Sequence, residues 1–273
     1  AILSGMGLLP ADAVSQADRT VILMIRIPRV LAATLAGGGL ALSGTVLQGL
    51  FRNPLADPGL LGVSAGAGFG SLLAILTGIA SFYVLPLSAF LGALLGVGLI
   101  LGISAAAGRG GGSGIGMVPL ILSGMAVSAM FSAMTSLLLS ISNEFQVSNY
   151  IFWTMGGLAN RRWEHVLAMA PLVAAAAVLV LSRARDLDIL LLGDEAAKAL
   201  GVHPRRTRLV LILAASLCTA AIVSVTGPIG FVGLLVPHML RLLIGPAHRP
   251  LAVASFFGGA VFLVLCDLLA RVL

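Results

Sequence analysis

Long apolar runs separated by short polar interruptions set the pattern of this chain. A helix needs about 20 apolar residues to cross roughly 30 Å of hydrocarbon. Eight segments approach or exceed that length, and they cover residues 30–51, 59–80, 83–106, 117–141, 164–182, 207–226, 230–244 and 251–271. The pattern therefore predicts an all-α fold, a polytopic membrane helical bundle that forms one transmembrane domain over residues 1–273.

Three polar segments interrupt this series. Residues 1–25 have neither the basic start nor the apolar core of a signal peptide, and we expect an extramembrane N-terminal segment there. Residues 142–163 mix polar and aromatic side chains, which is typical of a short amphipathic helix at the membrane surface. The longest polar stretch, 183–208, is expected to hold two short helices broken at Gly201. We expect this region to dock a soluble partner on the cytoplasmic side.

The composition agrees with a location in the membrane. Of the 273 residues, 59% are hydrophobic and only 10% are charged, which leaves too little polar surface for a water-soluble protein of this size. The net charge of +6 could indicate a nucleic-acid partner. The basic residues are scattered between apolar runs and do not form one polar face, so we expect no nucleic acid to bind.

Alternation of the eight helices divides the basic residues between two faces. The larger set is Arg52, Arg109, Arg183, Arg185, Lys198, Arg205, Arg206, Arg208, Arg241 and Arg249. The smaller set is Arg19, Arg26, Arg29, Arg161, Arg162 and Arg271. Positive charge concentrates on the cytoplasmic side of membrane proteins, so the first face is predicted to be cytoplasmic. The outer arginines could bind a partner or reach lipid headgroups, and the residues alone leave both open.

The segment Arg52–Gly62 (RNPLADPGLLG) separates two apolar runs with a polar turn that contains two prolines. After it, Gly62, Gly66 and Gly70 repeat every four residues along one helix face, which lets helix backbones approach closely. Helix packing is the default interpretation of these glycines. The alternative is that they line a pathway wide enough for a bulky solute.

Few side chains inside the apolar runs carry chemistry. Asp267 precedes Arg271 by four residues, which is the spacing of a helical ion pair, and this favours a structural role over proton transfer. Cys218 and Cys266 lie in apolar runs, and we expect neither a disulfide nor a metal site. The single lysine, Lys198, is not part of a GxxxxGK[ST] phosphate loop, so ATP binding of that kind is excluded.

Six sequence blocks point to one family. They are Arg26–Arg29 (RIPR), Gly39–Gly44 (GLALSG) with Gln48, Arg52–Gly62, Phe152–Gly157 (FWTMGG), Leu192–Val202 (LGDEAAKALGV) and Gly227–His238 (GPIGFVGLLVPH). Together they resemble the FecCD-type permeases of binding-protein-dependent ABC importers, which carry ferric siderophores, haem or cobalamin. The blocks run through nearly the whole chain in the expected order, which makes the resemblance highly specific.

The resemblance implies a permease of about ten transmembrane helices, of which about eight are visible here, with short cytoplasmic coupling helices. It implies a homodimer with a second copy of the chain in the bacterial inner membrane, two ATP-binding cassette subunits below it and a periplasmic solute-binding protein above it. The chain is expected to be no enzyme and to bind no cofactor or metal, because ATP and Mg belong to the partner ATPase. The expected cargo is a chelated metal compound moved by alternating access, and family frequency alone favours an iron compound such as haem.

The resemblance also implies roles for individual residues. Arg26, Arg29 and Arg271 match the outer arginines that meet acidic residues of the binding protein. Asn53 and Leu55 fall at the cytoplasmic gate, and Met117 corresponds to another gate position. The segment that couples to the ATPase consists of Asp194, Glu195, Ala196, Ala197, Lys198, Ala199, Leu200 and Gly201.

Two other classes of protein stay open on the residues alone. An ion- or proton-coupled secondary transporter would need intramembrane acids that face a cavity, and in the sequence only Asp267 qualifies. A membrane-embedded enzyme would need His, Asp or Glu side chains to converge at membrane depth, and the sequence indicates no such cluster. ATP hydrolysis that requires a separate ATPase subunit would distinguish an importer from both.

Overall fold

The structure is a computed structural model that describes residues 16–79, 83–108 and 117–272, without the side chains of Leu60 and Met117. Within these ranges the chain forms helices, turns and loops, and no strand. The helices are α1 Gln16–Phe51, α2 Val63–Leu76, α3 Val84–Gly108, α4 Met117–Ser140, α5 Glu144–Thr154, α6 Trp163–Leu190, α7 Asp194–Ala199, α8 Pro204–Thr226, α9 Val232–Ile244 and α10 His248–Val272.

Eight of the described helices are strongly apolar. Six of them, α1, α3, α4, α6, α8 and α10, are long enough to cross a membrane, whereas α2 and α9 are shorter. The eight follow the order of the apolar segments, so the predicted all-α membrane bundle is confirmed. α5 lies in the amphipathic segment, and Asn143 and Gln146 close its start by each accepting a hydrogen bond from the other's backbone N–H.

Several helix boundaries differ from the sequence prediction. α1 begins at Gln16 and not at residue 30, because the charged residues before 30 lower the hydropathy without preventing helix formation. Residues Val21–Arg26 of α1 are π-helical, and Pro28, which has no N–H to donate, follows two residues later. α6 extends to Leu190 and α8 begins at Pro204, so α7 is a single short helix between them. The second expected short helix is the first turn of α8.

α1 and α8 form the centre of the bundle. Both are buried along most of their apolar length, whereas α3, α4, α6 and α10 leave broad apolar faces exposed. Small residues make this central position possible, because they let neighbouring backbones come into contact. A Cβ atom at Gly37 would overlap the backbone of Gly259 in α10, and one at Gly44 would overlap the carbonyl oxygen of Gly233 in α9.

The glycines of α2 lie against α3. A Cβ atom at Gly66 would overlap the backbone of Gly92, and one at Gly70 would overlap the carbonyl oxygen of Ser88. A Cβ atom at Gly96 would lie 3.1 Å from the carbonyl oxygen of Gly62. These contacts favour helix packing over a solute pathway for this face of α2.

Two breaks between helices meet inside the bundle. The loop Arg52–Gly62 folds back from the end of α1, and the turn Gly227–Phe231 joins α8 to α9. Gly233 marks the meeting point, because a Cβ atom there would lie 2.7 Å from Pro58 and 2.9 Å from the carbonyl oxygen of Leu40. At about 1.5 Å per residue, Leu40 lies about 16 Å from the end of α1. α2 and α9 are therefore short because both begin near the middle of the bundle.

Gln48 supports the start of α9. Pro237 has no N–H, so the carbonyl oxygen of Gly233 lacks its usual helical donor four residues ahead. The buried amide of Gln48 lies 3.5 Å from that oxygen and donates to the carbonyl oxygen of Leu234 at 3.0 Å. A side chain of α1 thus supplies a donor where lipid could not.

We predict that Gly66→Ala destabilises the bundle and that Gly98→Ala does not. The methyl group at residue 66 would overlap Gly92 and push α2 away from α3, at a cost of about 1–3 kcal/mol that is typical of overpacking. Gly98 lies in α3 with no atom within 4 Å of its Cβ position, so it serves as the control. Thermal unfolding in one detergent compares the two variants. Equal melting temperatures would show that the contact tolerates a methyl group.

Candidate functional site

Polar contacts join the helices at two separate ends of the bundle. At one end, the guanidinium of Arg52 donates to the carbonyl oxygen of Leu190 at 2.7 Å and links α1 to α6. At the other, Arg29 near the start of α1 pairs with Asp267 near the end of α10. These pairs group the helix ends in the way that helix alternation predicts. After the orientation that the distribution of basic residues predicts, we call the first of these the cytoplasmic end and the second the outer end.

The loop after α1 contains the predicted gate residues Asn53 and Leu55. Arg52 ends the helix with a left-handed backbone (φ 50°, ψ 35°), and the N–H of Asn53 donates to the carbonyl oxygen of Gln48 at 3.1 Å. The side-chain oxygen of Asn53 accepts a hydrogen bond from the N–H of Leu55 at 2.9 Å and closes a tight turn. This turn leaves Leu55 exposed. Met117, the third predicted gate residue, begins α4, but its side chain lies outside the described part of the chain.

Asp57 fixes the second half of this loop. Its carboxylate accepts a hydrogen bond from the N–H of Gly59 at 2.7 Å and caps the single 3₁₀ turn Pro58–Leu61. Gly62 then takes a φ of +66°, a conformation that favours glycine. The sequence indicated a shaped turn at the cytoplasmic end, but it did not indicate that Pro58 reaches the middle of the bundle.

α7, at the start of the predicted coupling segment, is tied to α8 at the cytoplasmic end. Two N–H groups of Arg208 bind the two carboxylate oxygens of Asp194, one of them at 2.9 Å. This hydrogen bonding is the main cause that lowers the pKa of Asp194 from its ordinary value of 3.8, and Arg52 adds a smaller electrostatic effect. Ala197 is buried, and its carbonyl oxygen accepts a hydrogen bond from the N–H of Val202 at 2.9 Å. The short helix is therefore held at its first residue and near its last turn.

The rest of the coupling segment faces outward. Glu195 and Lys198 form an exposed ion pair at 2.9 Å. Leu200 is exposed, and Gly201 turns the chain with a φ of +79°. Ala196 is half-buried and Ala199 is exposed. A firmly held helix with exposed charges and an exposed leucine is a suitable surface for a soluble partner.

Arg29, Asp267 and Arg271 form a cluster at the outer end. Nε and Nη2 of Arg29 donate to the Asp267 carboxylate at 2.7–3.1 Å, and Nε of Arg271 lies 3.5 Å from it. The side chains of Arg29 and Asp267 are 21% and 9% exposed, so their pair is shielded from solvent. The sequence predicted the pair of Asp267 with Arg271 from its spacing. It contained no signal for the Arg29 contact, which spans 238 positions.

Other arginines at the outer end differ in exposure. Arg26 is exposed at the end of the π-helical segment, and Arg162 is exposed before α6. Arg161 is half-buried; its Nε donates to the carbonyl oxygen of Gly157 at 3.3 Å, and burial lowers its pKa. Of the arginines predicted to dock a partner, Arg26 and Arg271 are therefore more accessible than Arg29.

Metal ligands do not gather in residues 16–79, 83–108 and 117–272. No group of three His, Cys, Asp or Glu side chains in these ranges could hold a metal ion. Cys218 is buried beside the carbonyl oxygen of Gly39, and Cys266 is exposed. The chemistry of the sites described above is that of hydrogen bonds and ion pairs.

We predict that Asp194→Asn loosens α7 and that Glu195→Gln does not. Asp194 is 41% exposed and binds Arg208 through two charge-assisted hydrogen bonds, which contribute about 1–2 kcal/mol after allowance for solvent. Glu195 is 91% exposed, so its ion pair contributes little. Hydrogen–deuterium exchange of residues 194–202 should become faster only in the first variant. Unchanged exchange in Asp194→Asn would contradict the proposed tether.

We also predict a pH dependence for this tether. The pKa of Asp194 is lower in the folded protein than its ordinary value of 3.8, so the stabilisation is complete above pH 3.8. It is lost as the pH falls through the folded-state value. Protection of residues 194–202 from exchange, corrected for the intrinsic rate at each pH, should therefore decrease below pH 3.8 in the wild type. Asp194→Asn should lack this decrease.

Comparison with known proteins identifies the family of this chain. A family model described as the FecCD transport family matches residues 3–273. The cobalamin import system permease protein BtuC of Halobacterium salinarum is 40% identical over 259 residues, which cover 94% of this chain and 68% of that protein. The hemin transport system permease protein HmuU of Yersinia pestis is 42% identical over 256 residues, which cover 92% of this chain and 75% of that protein.

A solved structure resembles the fold described above. It is described as an inward-facing conformation of a metal-chelate type ABC transporter, and it is 37% identical in sequence, with a TM-score of 0.87. The match covers 96% of this chain and 82% of that chain. The family model and the solved structure therefore both match nearly the whole length of this chain. The chain belongs to the FecCD transport family as a multi-pass membrane permease.

Proposed function

We propose that this chain is the permease subunit of an ATP-driven ABC importer that carries a chelated metal compound into the cytoplasm. Membership of the FecCD transport family supports the importer, and the similarity to a metal-chelate type transporter supports the class of cargo. In the proposed complex the permease pairs with a second copy of itself. Two ATPase subunits lie on its cytoplasmic side and a solute-binding protein on its outer side.

The observation that carries the proposal is the attachment of α7. The helix lies between the cytoplasmic ends of α6 and α8, and Arg208 ties it to α8. Movement of an ATPase subunit against α7 would therefore be transmitted to two long helices. Arg52 joins the end of α6 to the end of α1, directly before the predicted gate. This arrangement supports a mechanism in which ATP binding and hydrolysis alternate the access of a central pathway.

The predicted gate has a suitable chemical character. Leu55 is an exposed apolar side chain on a loop whose backbone is fixed by Asn53 and Asp57. An apolar side chain that enters a narrow pathway can close it by excluding water. In the proposed dimer, Leu55 of each copy would approach the pathway from the cytoplasmic side.

The outer end supports docking of an acidic protein surface. Arg26 and Arg162 are exposed, and Arg271 is partly exposed beside Asp267. Exposed arginines attract carboxylates over distances of about 10 Å at an ionic strength of about 0.1 M and can bind them through two hydrogen bonds. Arg29 retains its proposed docking role only if a carboxylate of the partner competes with Asp267. In the free permease it contributes mainly to the join between α1 and α10.

The cargo is the finer part of the proposal. The cobalamin and hemin permeases resemble this chain to nearly the same degree, at 40% and 42% identity, so overall similarity does not distinguish their cargoes. We favour an iron compound such as haem, on the frequency of iron transport in the family. Affinity for the cargo would reside in the solute-binding protein, because the small apolar residues of the permease offer few polar contacts.

Uptake into proteoliposomes that contain this chain and its ATPase subunit tests the proposal. Haem, a ferric siderophore and cobalamin are offered in turn, each with a solute-binding protein, in the presence and absence of ATP. We expect ATP-dependent uptake of one of these compounds, with haem as the first candidate. Uptake driven by a proton or sodium gradient without ATP would contradict the importer and support a secondary transporter.

We predict that Arg26→Glu weakens docking of the solute-binding protein, whereas Arg185→Glu does not. Both arginines are exposed, but Arg26 is at the outer end and Arg185 is on α6 near the cytoplasmic end. Reversal of one interface charge should weaken binding by about tenfold. At high salt, the affinities of Arg26→Glu and the wild type should become similar, because salt screens the charges. Binding of the solute-binding protein to the permease complex in nanodiscs measures the effect. Equal affinities for the two variants would place the docking surface elsewhere.

A further inference from the structure

His248, the first residue of α10, is buried at the cytoplasmic end. Its Nδ1 lies 2.6 Å from one carboxylate oxygen of Asp188, and its backbone N–H donates to the same oxygen at 3.1 Å. Only 2% of the imidazole is exposed. Asp188 lies two residues before the end of α6, so one carboxylate holds both the start of α10 and the histidine ring.

The opposite edge of the ring faces α1. Nε2 of His248 is buried and has no hydrogen-bond partner in the described part of the chain. A Cβ atom at Gly49 would overlap this nitrogen and would lie 3.1 Å from Cδ2 of Leu187. The imidazole therefore fills the space between the ends of α1 and α6.

This position connects the two cytoplasmic sites described above. On one side, Asp188 precedes Leu190, the residue that binds Arg52, and α7 begins four residues after Leu190. On the other side, Gly49 lies in the last turn of α1, directly before the loop with Asn53 and Leu55. The ring is thus in contact with the helix that leads to α7 and with the helix that leads to the gate.

We propose that His248, held by Asp188, is a positioning residue that makes the gate loop follow the movement of α7. The inference rests on the proposed function, since it assumes that α7 receives movement from an ATPase subunit. The ring acts as a rigid wedge between α6 and the glycine surface of α1. Without it, a gap opens beside Gly49, and α6 can move further before it displaces the end of α1, although Arg52 still joins the two through Leu190. The ring is buried, so this role requires no contact of the histidine with the cargo or the ATPase.

The test follows the gate directly and needs no cargo. The background variant carries Cys266→Ser, which removes the exposed cysteine, and Leu55→Cys, which reports on the gate. The permease is assembled with its ATPase subunit in nanodiscs, and the rate of labelling with a membrane-impermeant maleimide is measured without nucleotide and after trapping with ATP and vanadate. We expect trapping to change the labelling rate of the background by about tenfold.

His248→Ala should reduce this change by at least half while ATP hydrolysis stays close to that of the background, and the gap beside Gly49 should lower the melting temperature modestly. The backbone N–H of residue 248 can still bind Asp188 in this variant, so the start of α10 keeps its cap. His248→Asn, which can still donate to Asp188, should restore part of the change. His238→Asn is the matched control on α9 and should behave as the background.

A second arm uses the contact with Gly49. Gly49→Ala should reduce the nucleotide-dependent change, because its methyl group overlaps Nε2 of His248. The double variant Gly49→Ala/His248→Asn should recover it, since asparagine lacks the atom that overlaps. A full response in His248→Ala, or no recovery in the double variant, would overturn the positioning role. If the background variant itself shows no change in labelling rate on trapping and no ATP hydrolysis with the ATPase subunit, the proposed function is overturned instead.

Discussion

The fold depends on close backbone contact between helices that lack side chains where they meet. α1 can lie at the centre because Gly37 and Gly44 admit the backbones of α10 and α9. Lipid offers no hydrogen bonds, so a break in a membrane helix is stable only where protein surrounds it. Both breaks of this chain lie against α1, and Gln48 donates to a carbonyl oxygen at one of them. α9 therefore begins at mid-depth because the central helix provides a glycine surface and one buried amide, whereas α2 packs through its own glycines against α3.

The two ends of the bundle use charge differently. At the cytoplasmic end, helix ends are joined to each other by Arg52, Arg208 and Asp188. The short helix α7, which is proposed to move, and the predicted gate loop are therefore attached to the same group of helix ends. At the outer end, one shielded pair of Arg29 with Asp267 joins α1 to α10, while further arginines remain accessible. A transporter needs both properties, since motion must pass through the permease on one side and a partner must bind and leave on the other.

The sequence predicted the class of fold, the order of the eight apolar helices and the grouping of their ends, because length and periodicity are local properties. It also predicted the pair of Asp267 with Arg271, whose spacing is visible along one helix. It did not predict the contacts of Arg29 with Asp267 or of His248 with Asp188, which join residues far apart in the chain. The predicted start of α1 was wrong because hydropathy measures affinity for lipid and not the tendency to form a helix. The mid-depth position of Pro58 depends on packing against Gly233, which no local pattern records.

The π-helical segment Val21–Arg26 changes the direction in which the side chains at the start of α1 point, relative to a regular α-helix. Each residue of an α-helix turns the chain by about 100°, and a π-helical turn holds one residue more than an α-helical turn. Residues before the segment are therefore rotated relative to those after it. Arg29 faces α10 and stays shielded, whereas Arg26 points to solvent. Loss of a single residue from this segment would leave the membrane span intact and yet redirect the whole N-terminal turn, so surface geometry at this end can change without any change in the core.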